Sequence, residues 1–235
     1  MIIKILPILS AFIFSSAFSF AQKTEYGLAI GGLSYSGDLH RGYDVLNQNL
    51  GLQGIYRINL SEDVAVKFGL LYGSVKGDDS EPFDALGRVR NASFQRSFLE
   101  GSAVFEYHFI DYKHKNSTIK FSPYLFGGIG FTNFFNLDRS VDDFSSIQPV
   151  IPFGLGMKHL VGKQFTMSLE FGARKTFFDG MDGISAGDTF DKSGFQFGNP
   201  SDNDWYHFIG VSFSYILYKI PCTYRYVPNK SLHRK

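Results

Sequence analysis

Residues 164–178 read QFTMSLEFGARKTFF. Taken alternately, the odd positions give Phe165, Met167, Leu169, Phe171 and Ala173, then Lys175 and Phe177; the even ones give Gln164, Thr166, Ser168, Glu170, Gly172, Arg174 and Thr176. A period of two is that of a β-strand, whose side chains point to opposite faces in turn. One row is large and apolar, and the other carries both signs of charge. A soluble strand would turn the apolar row to a core, whereas a strand in a bilayer would turn it to lipid. In hydrocarbon an open sheet edge leaves backbone N–H and C=O groups unsatisfied, so such strands must close into a barrel.

The alternation recurs over 24–35, 48–58, 63–73, 97–109, 119–132, 148–160 and 204–218. In the first of these Tyr26, Leu28 and Ile30 alternate with Gly27, Ala29 and Gly31, and a row so small fits a crowded interior. Ile55, Tyr124 and Phe126 break the polar rows, and Pro123, Pro149 and Pro152 are out of place in strands because proline cannot donate to a ladder. Pooled, the polar rows hold Arg57, Lys67, Lys120, Lys158 and Arg174 against Glu100, Glu106 and Glu170. Within a shared interior these charges can pair, while a Lys or Arg on the lipid row would cost roughly 2–4 kcal/mol at mid-depth. A soluble lipocalin-like barrel needs the opposite arrangement, apolar inside and charged outside.

Connections between these segments are 12, 4, 23, 9, 15, 3 and 25 residues long, alternately long and short. Outer-membrane barrels have short periplasmic turns and longer outer loops, so both termini are expected in the periplasm. The fold expected is all-β: an antiparallel transmembrane β-barrel of about eight strands, of the small OmpA/OmpX type, closed and filled by side chains. Tyr26, Tyr72, Phe177 and Trp205 lie near row ends, where interfacial girdles are found.

Residues 1–21 read as a secretory signal peptide, with Lys4, an apolar run from Ile5 to Phe14 and a small-residue end at Ser19-Phe20-Ala21. The barrel is expected over 22–218 and a basic periplasmic tail over 219–235. Once Lys4 leaves with the leader, 22 Lys and Arg balance 22 Asp and Glu, which gives no attraction to nucleic acid. The 26 Phe, 13 Tyr and 25 Gly suit a sheet protein rich in turns, and one cysteine, Cys222, excludes an intramolecular disulfide.

Motifs for chemistry are sparse. The sequence has no phosphate-binding glycine loop, paired-histidine zinc motif, Cys-x-x-Cys or Gly-x-Ser-x-Gly elbow, so no enzyme, cofactor, metal or small-molecule substrate is expected. The six histidines, His40, His108, His114, His159, His207 and His233, are scattered. Glu106 and His108 share a face and read as part of an interior network rather than an acid/base couple. Asp179, Asp182, Asp188, Asp191 and Asp202 lack calcium-loop spacing and read as a solvated loop. Behind Tyr218 the tail has five Lys and Arg and no acid; Lys219, Pro221, Cys222, Tyr224, Arg225 and Tyr226 are the candidates for docking a periplasmic partner.

Glu25-Tyr26-Gly27-Leu28, Gly31-Gly32-Leu33-Ser34-Tyr35-Ser36-Gly37-Asp38-Leu39 and the closing Tyr218-Lys219-Ile220-Pro221-Cys222 resemble the PorG family of outer-membrane barrels, which is associated with the type IX secretion system. That resemblance implies a structural role in protein transport: a barrel among outer-membrane lipids that tethers the periplasmic ring of the PorK lipoprotein and PorN. It carries over no catalytic residue. Two other readings stay open, a surface adhesin acting through its long loops and an enzyme acting on lipid A, for which His159 and His207 are the histidines on the apolar rows.

Overall fold

The computed structural model describes residues 23–37, 48–78, 93–112, 119–135, 146–162, 164–177 and 204–217. Residues 1–21, expected as a leader, residues 219–235 with all six docking candidates, the five aspartates from Asp179 to Asp202, and His40, His114 and His233 lie outside them. Eight strands follow in chain order: β1 (Lys23–Ser36), β2 (Asn49–Asn59), β3 (Val64–Asp78), β4 (Ser93–His108), β5 (Phe121–Phe134), β6 (Ile147–Val161), β7 (Phe165–Thr176) and β8 (Trp205–Leu217). Each pairs antiparallel with the next, and β8 closes on β1 from Thr24↔Leu217 to Ser36↔Trp205. The sheet therefore has no free edge, as strands in lipid require.

Exposure assigns the rows. Leu28 is 74% exposed, Ile129 68% and Phe105 65%, whereas Arg57, Glu100 and Lys158 are at 0%. Soluble monomers rarely expose contiguous apolar patches beyond a few hundred Å². Here apolar side chains ring the whole wall, so the wall faces hydrocarbon and the charges face inward. Tyr26, Tyr72 and Phe177 are among the exposed aromatics, and Trp205, half-buried, packs edge-on against outward Phe153.

Two turns at the end carrying the termini are tight. Ser61 Oγ accepts from the Val64 N–H at 3.0 Å in the β2–β3 turn. In the β6–β7 turn Gly162 has φ 75°, a left-handed conformation that other residues adopt only with strain. The third connection at this end, 109–120, is as long as two of the loops opposite. The strict long and short alternation expected from the sequence is thus weaker than it looked, with lengths of 12, 4, 14, 12, 12, 3 and 28 residues. The β3–β4 loop shrinks because both strands run on past their neighbours. Pairing of β2 with β3 ends at Gly51↔Gly73, while β3 and β4 stay paired to Asp78↔Ser93.

One proline finds its allowance on β6. Its pairing with β5 runs to Gly127↔Phe153 and resumes at Gly130↔Val150, a lapse opposite Pro152, which has no N–H to give.

Candidate functional site

The interior row of an eight-stranded barrel points at an axis shared by all strands, so a charge on one strand can reach a partner on the far wall. In the half nearer the termini, Arg57 on β2 donates through Nε and Nη2 to Glu106 on β4 at 2.6 and 3.0 Å and through Nη1 to Glu25 on β1 at 2.8 Å. Glu25 also accepts from Asn59 Nδ2 at 2.9 Å and from Lys158 Nζ, on β6, at 2.5 Å. Lys67 on β3 bonds Glu170 on β7 and lies 3.4 Å from Glu106; the Tyr124 hydroxyl donates to Glu170 at 3.0 Å. Three cations thus meet three carboxylates, and their burial is compensated by pairing. Strands β3 and β7 are diametrically opposed in the ring, so the Lys67–Glu170 bond spans the bore.

A second tier repeats the device. Tyr206 on β8 donates to Glu100 on the opposed strand β4 at 2.9 Å and shares a hydrogen bond with Thr132 at 2.7 Å, while Arg174 Nε lies 3.4 Å from Glu100. Above it, towards the end away from the termini, Leu33, Tyr35, Val75, Phe98, Phe134 and Phe208 form an apolar plug, with Phe94 packed against it. Tyr35 meets Phe94 edge-on at 4.9 Å and donates to Asp204 at 2.8 Å. Below the lower tier, Tyr112 of the long 109–120 connection is buried against His108, ring centroids 5.4 Å apart, with Lys158 Nζ 5.9 Å from its ring centroid. Glycine on the wall makes room for this filling: a Cβ at Gly156 would collide with the Tyr124 ring.

Most interior residues read from the sequence are found here: Arg57, Lys67, Lys158, Arg174, Glu100, Glu106 and Glu170 are all buried. Lys120 is not. It is exposed, one residue before β5 begins, where the alternating pattern runs on past the rim of the barrel. Glu25 and Tyr112 were not anticipated; Glu25 has the parity of Gly27 and Ala29 and was readable, whereas Tyr112 lies outside any periodic segment. Tyr124, Phe126 and Ile55, which broke the polar rows, are interior side chains that fill the bore. His108 Nε2 lies 3.6 Å from Glu106 Oε2, between the rings of Tyr112 and Tyr124, as a member of the network. His159 and His207 point outward near opposite ends of the wall and do not come together. Among the described residues, no three His, Cys, Asp or Glu converge as a metal site.

A family model described as "Domain of unknown function (DUF6089)" matches residues 3–226. No curated protein sequence matches the chain. Among solved structures it is similar to a major outer membrane protein from Thermus thermophilus, with 12% identity over 84% of this chain and 100% of that one and a TM-score of 0.47. Neisserial surface protein A gives 10% identity over 83% and 97% and a TM-score of 0.46. Ail, the attachment invasion locus protein of Yersinia pestis, gives 10% over 84% and 100% and 0.45. Closure with apolar rows outside and paired charges inside makes this chain an integral outer-membrane β-barrel.

Proposed function

The chain belongs to the DUF6089 family, and we propose that it is a structural anchor of the outer membrane, a filled barrel that holds a periplasmic protein assembly to the bilayer. The observation that carries this reading is the pair of hydrogen bonds between opposed strands, Lys67–Glu170 and Tyr206–Glu100, which occupy the bore with side chains. A barrel filled in this way offers a wall and two ends rather than a passage. Turns of 4 and 3 residues at the terminal end favour a periplasmic location for it. The family match runs on to residue 226, past the end of β8 at Leu217, so the segment after the barrel is part of what the family shares. The resemblance of both ends to the PorG family supplies the assembly: the PorK and PorN ring of a type IX secretion machine, with Lys219, Pro221, Cys222, Tyr224, Arg225 and Tyr226 as the docking segment.

Deleting the gene should block secretion of type IX substrates. Truncation after Tyr218 should leave a folded barrel that recovers less of the ring on affinity purification from detergent-solubilised envelopes. Normal secretion in the deletion strain would overturn the proposal.

One observation favours a lipid A enzyme as the second reading. His207 on the outward row of β8 stands in register with Ser34 on the outward row of β1. Ser34→Ala and His207→Ala separate the two: loss of a lipid A modification with secretion intact argues for the enzyme.

A further inference from the structure

Below the β3–β4 extension, Lys175 is the only Lys, Arg, Asp or Glu on an outward row among the described strand residues. It sits where such a charge is tolerable. On β8 the 13 residues from Trp205 to Leu217, at about 3.3 Å each and tilted by about 40°, rise roughly 30 Å, against an apolar band about 25 Å tall. Lys175 is the register partner of Trp205, so both lie at the upper edge of that band, at headgroup height.

The surroundings are arranged around the charge. Lys175 Nζ is 5.4 Å from the centroid of Trp205, and Trp205 meets Phe153 edge-on at 6.0 Å. On the next outward position of β8, His207 stacks on Phe171 with an interplanar angle of 15°. Ser34 and Ser36 of β1 face His207 and Trp205 across the ladder. Towards the membrane centre the same rows become Phe171, Leu155 and Ile209, all apolar. A lysine stem lying along an aromatic ring keeps its ammonium in the polar layer. The patch therefore offers a cation, an imidazole and the Ser36 hydroxyl above a greasy wall, with Ser34 buried beneath it.

We propose that the outward faces of β7, β8 and β1 at this rim bind a phosphorylated, multiply acylated glycolipid of the outer leaflet, with Lys175 on the phosphate and Trp205 and His207 beside the sugar. Charge complementarity and height choose the occupant: a free anion would have no use for the apolar rows below, and a neutral lipid none for Lys175. The assignment to the outer leaflet rests on the periplasmic placement of the termini.

The chain has a single tryptophan, so Trp205 emission reports this patch alone. Full-length protein in detergent micelles is titrated with bisphosphorylated lipid A, with its dephosphorylated counterpart, with phosphatidylglycerol and with inorganic phosphate. The expected result is a saturable change with bisphosphorylated lipid A, at least about tenfold weaker with the dephosphorylated lipid and in Lys175→Gln, and largely restored in Lys175→Arg. Retention of the heat-modifiable gel shift shows that each variant is folded. Equal responses to both forms of lipid A, an unchanged Lys175→Gln, or saturation by inorganic phosphate would overturn the site. Stronger binding of phosphatidylglycerol would overturn the outer-leaflet glycolipid, while recovery of ring proteins through the tail tests the anchoring role separately.

Discussion

Replacing Arg57 with methionine isolates the interior network. The guanidinium is fully buried and gives two bonds to Glu106 and one to Glu25. Glu25 keeps Lys158 at 2.5 Å and Asn59 at 2.9 Å after the change, so its loss is partial. Glu106 is left with Lys67 at 3.4 Å and His108 at 3.6 Å, both longer than the bonds it loses. The lower tier goes from three cations against three carboxylates to two against three, and a carboxylate in a bore lined by protein has little water to turn to. Removing one partner of a buried pair costs about 3–5 kcal/mol, most of it the penalty on the charge left behind. Adding Glu106→Leu restores the balance of charge at similar volume and should recover all but about 1–2 kcal/mol. The assay is urea unfolding of the barrel in lipid vesicles, followed by Trp205 emission and by the heat-modifiable shift on gels. Near-equal midpoints for wild type and Arg57→Met, or a double variant no better than the single, would mean that the bore is hydrated and the pairing adds little.

Three further outcomes follow from the same geometry. Leu169→Arg, on the outward row near mid-wall, should destabilise the vesicle-embedded barrel by roughly 2–4 kcal/mol, and no effect would mean that the row does not face lipid. Purified protein in planar bilayers should show no discrete conductance steps; reproducible steps would refute a filled bore. Tyr112→Ala should cost about 3 kcal/mol in the same urea assay, because it removes a buried ring packed against His108 and Lys158, and an unchanged midpoint would mean that Tyr112 adds nothing to the filling.

The strand count and the facing of the rows were legible because lipid on one side and a shared axis on the other enforce a period of two across the membrane. Legibility stopped where the bilayer stops. Beyond Gly73 the outward row of β3 becomes Ser74 and Lys76, and the matching row of β4 holds Gln95 and Ser97, so the apolar signal vanishes although the hairpin continues. The same loss of constraint let Lys120 pass for an interior residue. Inside the barrel the alternation gives parity but not height. Nothing in it said that Lys67 would meet Glu170 across the bore or that Tyr206 would reach Glu100, since those pairings depend on the stagger of all eight strands. Tyr112 was invisible for a different reason: a side chain that plugs a barrel from a connection has no period to betray it.

The interior charges also explain why the strands pair in one register. A barrel with apolar side chains on both faces would be satisfied after a slip of one residue, because either row could face lipid. Here a slip of β7 by one would turn Glu170 and Arg174 outward and bring Leu169 and Phe171 into the bore. The arginine alone would cost roughly 2–4 kcal/mol in hydrocarbon. On top of that, Lys67 would lose Glu170 and keep only the longer contact to Glu106, and Glu100 would lose Arg174 and keep only Tyr206. Each strand from β1 to β7, apart from β5, places at least one ionised residue in these tiers, so a slip of almost any strand is penalised twice. Pairing therefore works here mainly against alternatives, at a net stabilisation that an apolar core could match.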